Sequence, residues 1–347
     1  MSSRTTDEAL RRLLEEGRLR AAAIDPEHAR LWEALALATE GGKRFRPALL
    51  VSAHDALGGD RAGAVVEVGA ALELLHTAFV IHDDVIDDDH VRRGRPNVSG
   101  AFRAQALAGG ASADAADHYG RTAAILAGDL ALTTAVRVVA TCGAPGDVVG
   151  RLLDLFDTAL HTTAAGELAD VRLTLDLAPA SLSESLAMEA NKTGAYSFAL
   201  PLQCGAVLAG ADEEMVRLLG KAGNVLGAAF QLVDDLIGVF GDSAQSGKSC
   251  TGDLRTRKQT PLLVHARSTD QWEQISSHLG RELDDEELAQ VRRLLILSGS
   301  RRFVEELAEA QVATTRSVFD GLGFSIDFLD TLTMCPPVPV DGSEVAA

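Results

Sequence analysis

One stretch limits the architecture more than any other. From Ala62 to Asp88 the chain reads as a single long helix, largely apolar through Ala70–Ile81 and ending among five aspartates, Asp83, Asp84, Asp87, Asp88 and Asp89. A helix that apolar needs neighbouring helices to cover it. The rest of the sequence supplies them. Apolar residues make up 46% and aromatics only 4%, and the apolar share is mostly Ala, Leu and Val, of which Ala and Leu lose little side-chain freedom in a helical turn. No strand-period run competes, so the fold class expected is all-α.

Helical patterns cover residues 1–24 and Pro26–Glu40, break at Gly41-Gly42, and resume over Arg46–Leu57 and Ala62–Asp88. A polar loop is expected from Val91 to Gly100 and another from Gly109 to Asp114. Further helices are expected at His118–Cys142, Gly146–Asp176, Leu182–Ala209, Glu213–Phe240, Pro261–Ala266, Trp272–Leu279, Asp285–Ser298 and Arg301–Gly321. Between them Gly241–Gly252 is a Gly/Ser loop, and 336–347 reads as a disordered tail. No Pro/Gly-rich linker divides the chain, so 1–347 is expected to be one domain.

The formal net charge of −18 argues against nucleic acid as a partner, since phosphate backbones need a clustered positive surface. The charged N-terminus has no signal-peptide core. Thr193–Ala211 lacks formal charge but contains Pro201 and several small or polar residues, so it reads as a buried helix kinked at Pro201 rather than a transmembrane segment. Cys142, Cys204, Cys250 and Cys335 form no CxxC pair, a pattern of reduced thiols in a cytoplasmic protein.

Chemistry concentrates at the aspartates. Asp83 and Asp87 are at i and i+4 and share a helix face, where their repulsion calls for a cation between them. A hard divalent ion such as Mg²⁺ takes oxygen ligands and typically combines one or two carboxylates with substrate phosphates. An EF-hand is excluded, because the central Gly and terminal Glu of such a loop are missing. About 150 residues downstream, Gly227–Gly238 places Asp234 and Asp235 inside an apolar helix, where ionised carboxylates are expensive to bury. Two such clusters on facing helices could hold one diphosphate through several metal ions.

Short basic clusters alternate with these motifs. Lys43, Arg44 and Arg46 lie in GGKRFRP; Arg92, Arg93 and Arg95 follow the first motif; Lys192-Thr193, Lys248 and Lys258 flank the second. Arg offers a donor fork matched to phosphate oxygens and Lys a mobile point charge, so the pattern fits a site for two diphosphates.

GGKRFRP, ELLHTAFVIHDDVIDDDHVRRGRP, NKTGAYSF, GAAFQLVDD and the GKxxxxDLxxxKxT run from Gly247 to Thr260 together resemble the trans-isoprenyl diphosphate synthases, or polyprenyl synthetases. The likeness runs from Gly41 to about Thr260, in the family's order and spacing. It implies a helical bundle around a central cavity, usually a homodimer, in which three Mg²⁺ ions hold an allylic diphosphate. Asp83, Asp87 and Asp234 would then be metal ligands, supported by Asp84 and Asp235. Arg92, Lys192, Thr193, Gln231, Lys248 and Lys258 would engage the allylic diphosphate, and Lys43, Arg46, His76 and Arg93 isopentenyl diphosphate. The implied activity is condensation of the two into a short-chain all-trans prenyl diphosphate. The alternatives are a terpene cyclase on the same fold, which does not need the isopentenyl-diphosphate cations, and a C15 or C25 product.

One position departs from the family pattern: the last residue of its DDxxD second motif is Gly238 here. Product length is read from the residues five and four places before Asp83, namely Ala78 and Phe79, which the resemblance assigns to the floor under the growing chain. One small and one aromatic residue there point to C20 geranylgeranyl diphosphate.

Overall fold

The computed structural model describes residues 5–175, 177–241 and 252–324. These fall into two compact units, one taking in residues 5–162, 195–224 and 319–324, the other the described parts of 163–194 and 225–318. Nearly all of both is helical, as the composition predicts.

In the first unit, α1 (Thr6–Ala22) starts on a capping box. Thr5 Oγ1 accepts from the Glu8 N–H at 3.3 Å and Glu8 accepts from the Thr5 N–H at 2.8 Å, which satisfies two otherwise orphaned donors. Asp25 caps α2 (Pro26–Ala38), with Pro26 in the first turn where its missing N–H loses nothing. Then come α3 (Phe45–Ala56), α4 (Ala62–Ile86), a hairpin of β1 (Val91–Arg92) and β2 (Arg95–Pro96), α5 (Val98–Ala108), α6 (Ala113–Ala140) and the start of α7 (Gly146–Thr174). After the excursion through the second unit, α9 (Leu200–Ala209) and the start of α10 (Glu213–Phe240) complete it. The expected long apolar helix, α4, is its centre: it packs on α1, α3, α6 and α9. Val68, Ala70, Ala71, Leu72, Leu74 and Leu75 of α4 are wholly buried, each leucine contributing about 1.5–3 kcal/mol by burial.

The second unit contains the rest of α7 and α10, α8 (Leu182–Glu189), the first half of a π-helix (Ala190–Ala199), and α11 (Gly252–Arg255), α12 (Pro261–Ala266), α13 (Trp272–Ser276), α14 (Asp285–Leu297) and most of α15 (Ser300–Gly321). Leu232, Leu236 and Val239 of α10 meet Leu254, Leu262, Val291, Leu295 and Val304 in its core. Capping boxes at Ser181/Glu184 and Asp284/Glu287 fix the starts of α8 and α14.

Two local expectations are corrected. The segment 91–100 is not a plain loop: it holds the hairpin and the first turn of α5, whose start Asn97 caps by accepting from the Gly100 N–H at 2.8 Å. The irregularity in 182–209 is not at Pro201, which sits harmlessly in the first turn of α9, but in the ten-residue π-helix before it.

Three helices, α4, α6 and α10, are long and apolar enough to cross a membrane by length and composition, whereas sequence reading tested only 193–211. Their most apolar windows are 72%, 44% and 61% buried within the protein, so for α4 and α10 packing accounts for most of the apolar character. Cys142 and Cys204 are buried free thiols, and burial pushes the Cys204 thiol up, away from reactivity. Cys250, Cys335 and the 336–347 tail lie outside the described residues.

Candidate active site

Each unit holds one aspartate pair with its own polar surroundings. In the first, Asp83 and Asp84 sit in the last turn of α4, and Asp87 caps it, its N–H donating to the Asp83 carbonyl at 2.9 Å. The helical geometry therefore carries through to Asp87, and the two outer carboxylates share a face as the spacing predicts. Asp83 is half-buried and Asp87 exposed, whereas Asp84 is 3% exposed.

The hairpin explains how Asp84 tolerates burial. Arg93 and Gly94, with φ of 54° and 70°, form its two-residue turn, and positive φ at both centres matches the twist of paired strands. This folds Arg92 back over the motif. Its Nε donates to Asp84 Oδ1 at 2.7 Å and its Nη2 to Asp83 Oδ2 at 3.3 Å. Burial pushes the Asp84 carboxyl up while Arg92 pulls it down. Arg92, expected on a diphosphate, thus serves the aspartates in this structure.

The other cations of this unit differ in partners. Arg44, which starts α3 at a left-handed φ of 51°, donates to Asp7 at 2.9 Å and to Glu73 at 2.6 Å; it is a strut. Arg46 is buried and faces neutral groups, the Ser197 hydroxyl and the rings of Phe45 and Tyr196. Arg93 donates to the Glu40 carbonyl at 2.8 Å, and Lys43 is exposed just before α3. His76 is pushed well below its ordinary range by burial and then by Arg46, Arg92, Arg93 and Arg44, so it is neutral in a field of arginines. Phe79 is half-buried, while Ala78 is 1% exposed, in the core.

In the second unit, Lys192 on the π-helix donates to Asp170 Oδ2 at 2.8 Å and lies 3.0 Å from Glu167 Oε2, both on α7. A close approach makes this possible: a Cβ on Gly166 would stand 2.2 Å from the Lys192 backbone nitrogen. Thr193 Oγ1 donates to Gln231 Oε1 at 3.1 Å, and Gln231 Nε2 donates to Asp235 Oδ1 at 3.0 Å. Asp234 is exposed; Asp235 is 2% exposed beside Glu189, equally buried. Burial and then the Asp235 charge push the Glu189 carboxyl well up, and burial pushes up Asp235. Lys258 opposes both shifts. Lys248 lies outside the described residues.

Glu189, Glu167, Asp170 and Asp253 were given no role by sequence reasoning. Asp253 bears on Gly238: a Cβ there would stand 2.9 Å from Asp253 Oδ2. A carboxylate from α11 thus reaches the position whose side chain departs from the family pattern. Asp253 is the Asp of the GKxxxxDLxxxKxT run, and the missing Asp at 238 was the second signal that could have drawn attention to it.

Among the described residues no three His, Cys, Asp or Glu side chains converge on one metal position. The donors nonetheless suit a hard cation: Asp83 and Asp87 place two carboxylates on one face at the end of α4 in the first unit, Asp234 is exposed in the second, and an ion of this kind completes its shell with water and phosphate.

Helical architecture with two aspartate pairs, each flanked by cations, defines a protein built to handle diphosphates. The chain belongs to the polyprenyl synthetase family, whose profile matches residues 29–295. It is therefore a prenyl diphosphate synthase, a transferase of prenyl groups. It is similar to the geranylgeranyl diphosphate synthase of Sulfolobus acidocaldarius, 36% identical over 230 residues, or 66% of this chain and 64% of that one. It is 31% identical to the geranylfarnesyl diphosphate synthase of Aeropyrum pernix over 82% of this chain and 85% of that one. Among solved structures it resembles a geranylgeranyl pyrophosphate synthase from Corynebacterium glutamicum complexed with isoprenyl diphosphate and magnesium, with a TM-score of 0.85, 28% identity and coverage of 94% and 95%.

Proposed function

We propose that the protein condenses isopentenyl diphosphate with an allylic diphosphate to give C20 geranylgeranyl diphosphate, with three Mg²⁺ ions. The observation that carries this reading is the shared design of the two motifs. In each, the first aspartate is the less buried of the two, Asp83 half-buried under Arg92 and Asp234 exposed. The second, Asp84 or Asp235, is buried and held by a neighbour, Arg92 or Gln231. Outer carboxylates ligate, and inner ones fix the helix end that presents them. Asp83, Asp87 and Asp234 would hold the ions, which neutralise the departing diphosphate.

Arg92, Lys192, Thr193, Gln231, Lys248 and Lys258 serve the allylic diphosphate, and Lys43, Arg46, His76 and Arg93 isopentenyl diphosphate. The allylic C–O bond breaks with its electron pair going to diphosphate, the double bond of isopentenyl diphosphate attacks the carbon released, and a proton leaves to the freed diphosphate. Preorganised cations meet charge as it develops on the leaving oxygens. Relatives named farnesyl (C15) and geranylfarnesyl (C25) diphosphate synthases lie on either side of the length read from Ala78 and Phe79, and relatives named geranylgeranyl diphosphate synthase match it.

The chain is read as one cytoplasmic isoprenoid synthase domain; the family match runs across both units. Ile125 and Leu126, exposed on α6, support a homodimer, since that helix keeps much of its apolar surface uncovered. The test is Asp234→Ala under saturating Mg²⁺: turnover should fall by orders of magnitude, and retained turnover would remove Asp234 from the site.

A further inference from the structure

Arg46 differs from the other arginines around it. Arg44 is matched by Asp7 and Glu73, and Arg92 by Asp83 and Asp84. Arg46 is buried, yet its Nε and Nη2 donate at 3.1 and 2.8 Å to a single neutral acceptor, Ser197 Oγ, whose two lone pairs can take both. The rings of Phe45 and Tyr196 lie 4.4 and 5.2 Å from its guanidinium carbon. A buried cation set among neutral groups keeps its full charge for an incoming anion.

Tyr196 makes two further contacts. Its hydroxyl is 3.1 Å from His76 Nδ1, and its ring centroid is 4.8 Å from that of Phe79, tilted by 59°. It is 8% exposed, packed in contact with Arg46, His76 and Phe79 at once. When the tyrosine O–H donates to Nδ1 of the neutral imidazole, the remaining proton sits on Nε2 and makes that atom a donor.

We infer that Tyr196 and Ser197 are positioning residues for isopentenyl diphosphate, Ser197 aiming the Arg46 guanidinium and Tyr196 fixing the His76 tautomer, and that the Tyr196 ring couples this site to Phe79. The inference rests on the reading that Arg46 and His76 hold isopentenyl diphosphate. It adds that a residue read as setting product length also sets affinity for the second substrate.

Steady-state kinetics with each substrate varied in turn test this. Tyr196→Phe keeps the ring and loses one hydrogen bond, so KM for isopentenyl diphosphate should rise about threefold to tenfold. The kcat and the allylic KM should stay within about twofold. Ser197→Ala should raise the same KM by about tenfold or more, because two buried donors lose their acceptor, and Ser197→Thr should restore it. Phe79→Ala should raise it too, with no added effect in a Tyr196→Leu background.

Arg46→Ala separates the two levels of the reading. If that variant leaves the isopentenyl-diphosphate KM unchanged, the assignment of the site is wrong. If Arg46→Ala raises it but Tyr196→Phe and Ser197→Ala do not, or if they raise both substrates' KM equally, the positioning role is wrong while the site stands.

Discussion

Arg92→Gln gives the sharpest check on the first motif. The substitution keeps a polar side chain over the motif but removes the charge that faces Asp84 at 2.7 Å and Asp83 at 3.3 Å. Breaking a fully buried ion pair costs about 3–5 kcal/mol. The Arg92 side chain is 29% exposed, so solvent screening lowers the figure to roughly 2–3 kcal/mol. The penalty depends on pH. Without Arg92, burial and then the Asp83 charge dominate at Asp84, and its native pKa climbs further above that of the unfolded chain. The native state then binds a proton more tightly, so the variant loses stability as pH rises from about 4 through that raised value. The gap between wild type and variant should be widest at neutral pH and narrow toward pH 4. Urea unfolding followed by circular dichroism at pH 7 and pH 4.5 measures it. Adding Asp84→Asn should recover most of the loss at pH 7, since no buried charge then remains to be compensated. A gap of the same size at both pH values, or no recovery in the double variant, would show that Arg92 does not act by stabilising the buried carboxylate.

Gly166→Ala drives a methyl into the backbone at Lys192, which cannot yield as a flexible side chain would. It should destabilise the protein by about 1–3 kcal/mol and raise the allylic KM, both read from unfolding and kinetics on one preparation. His76 is held neutral by burial and by Arg46, Arg92, Arg93 and Arg44. The unfolded chain therefore takes up a proton at this residue first, and stability from it is present above about pH 6.5 and falls by roughly 1 kcal/mol over the next unit down. His76→Gln should remove that portion of the difference between urea midpoints at pH 7.5 and 5.5. Ala78→Phe puts a ring into a closed part of the core. It should cost about 1–3 kcal/mol and shorten the product, and an unchanged product distribution would take Ala78 out of the floor.

Much of the fold was legible because helix signals are local. The long apolar stretch of α4 and the break at Gly41-Gly42 stand in the sequence as they do in the structure. The hairpin and α5 were hidden because Arg, Gly, Pro, Asn and Ser between 91 and 100 read as loop, although Asn97 is a helix cap. The π-helix left no trace in the sequence, and the close approach of Gly166 on α7 to its Lys192 backbone joins segments that are not neighbours in the chain. Residue types at the site were readable from spacing, but partners were not. Nothing in the sequence assigns Arg92 to Asp84, Glu189 to Asp235, or Asp253 to the neighbourhood of Gly238, because each pairing is made by chain geometry over 8 or more residues.

Incubation with labelled isopentenyl diphosphate and each allylic primer, with and without Mg²⁺, followed by sizing of the dephosphorylated products, reaches the core of the account. Label should enter a linear C20 chain only when Mg²⁺ is present, and Asp83→Ala should abolish it. Cyclic hydrocarbon without incorporated label, or elongation that persists after chelation of all divalent metal, would contradict it.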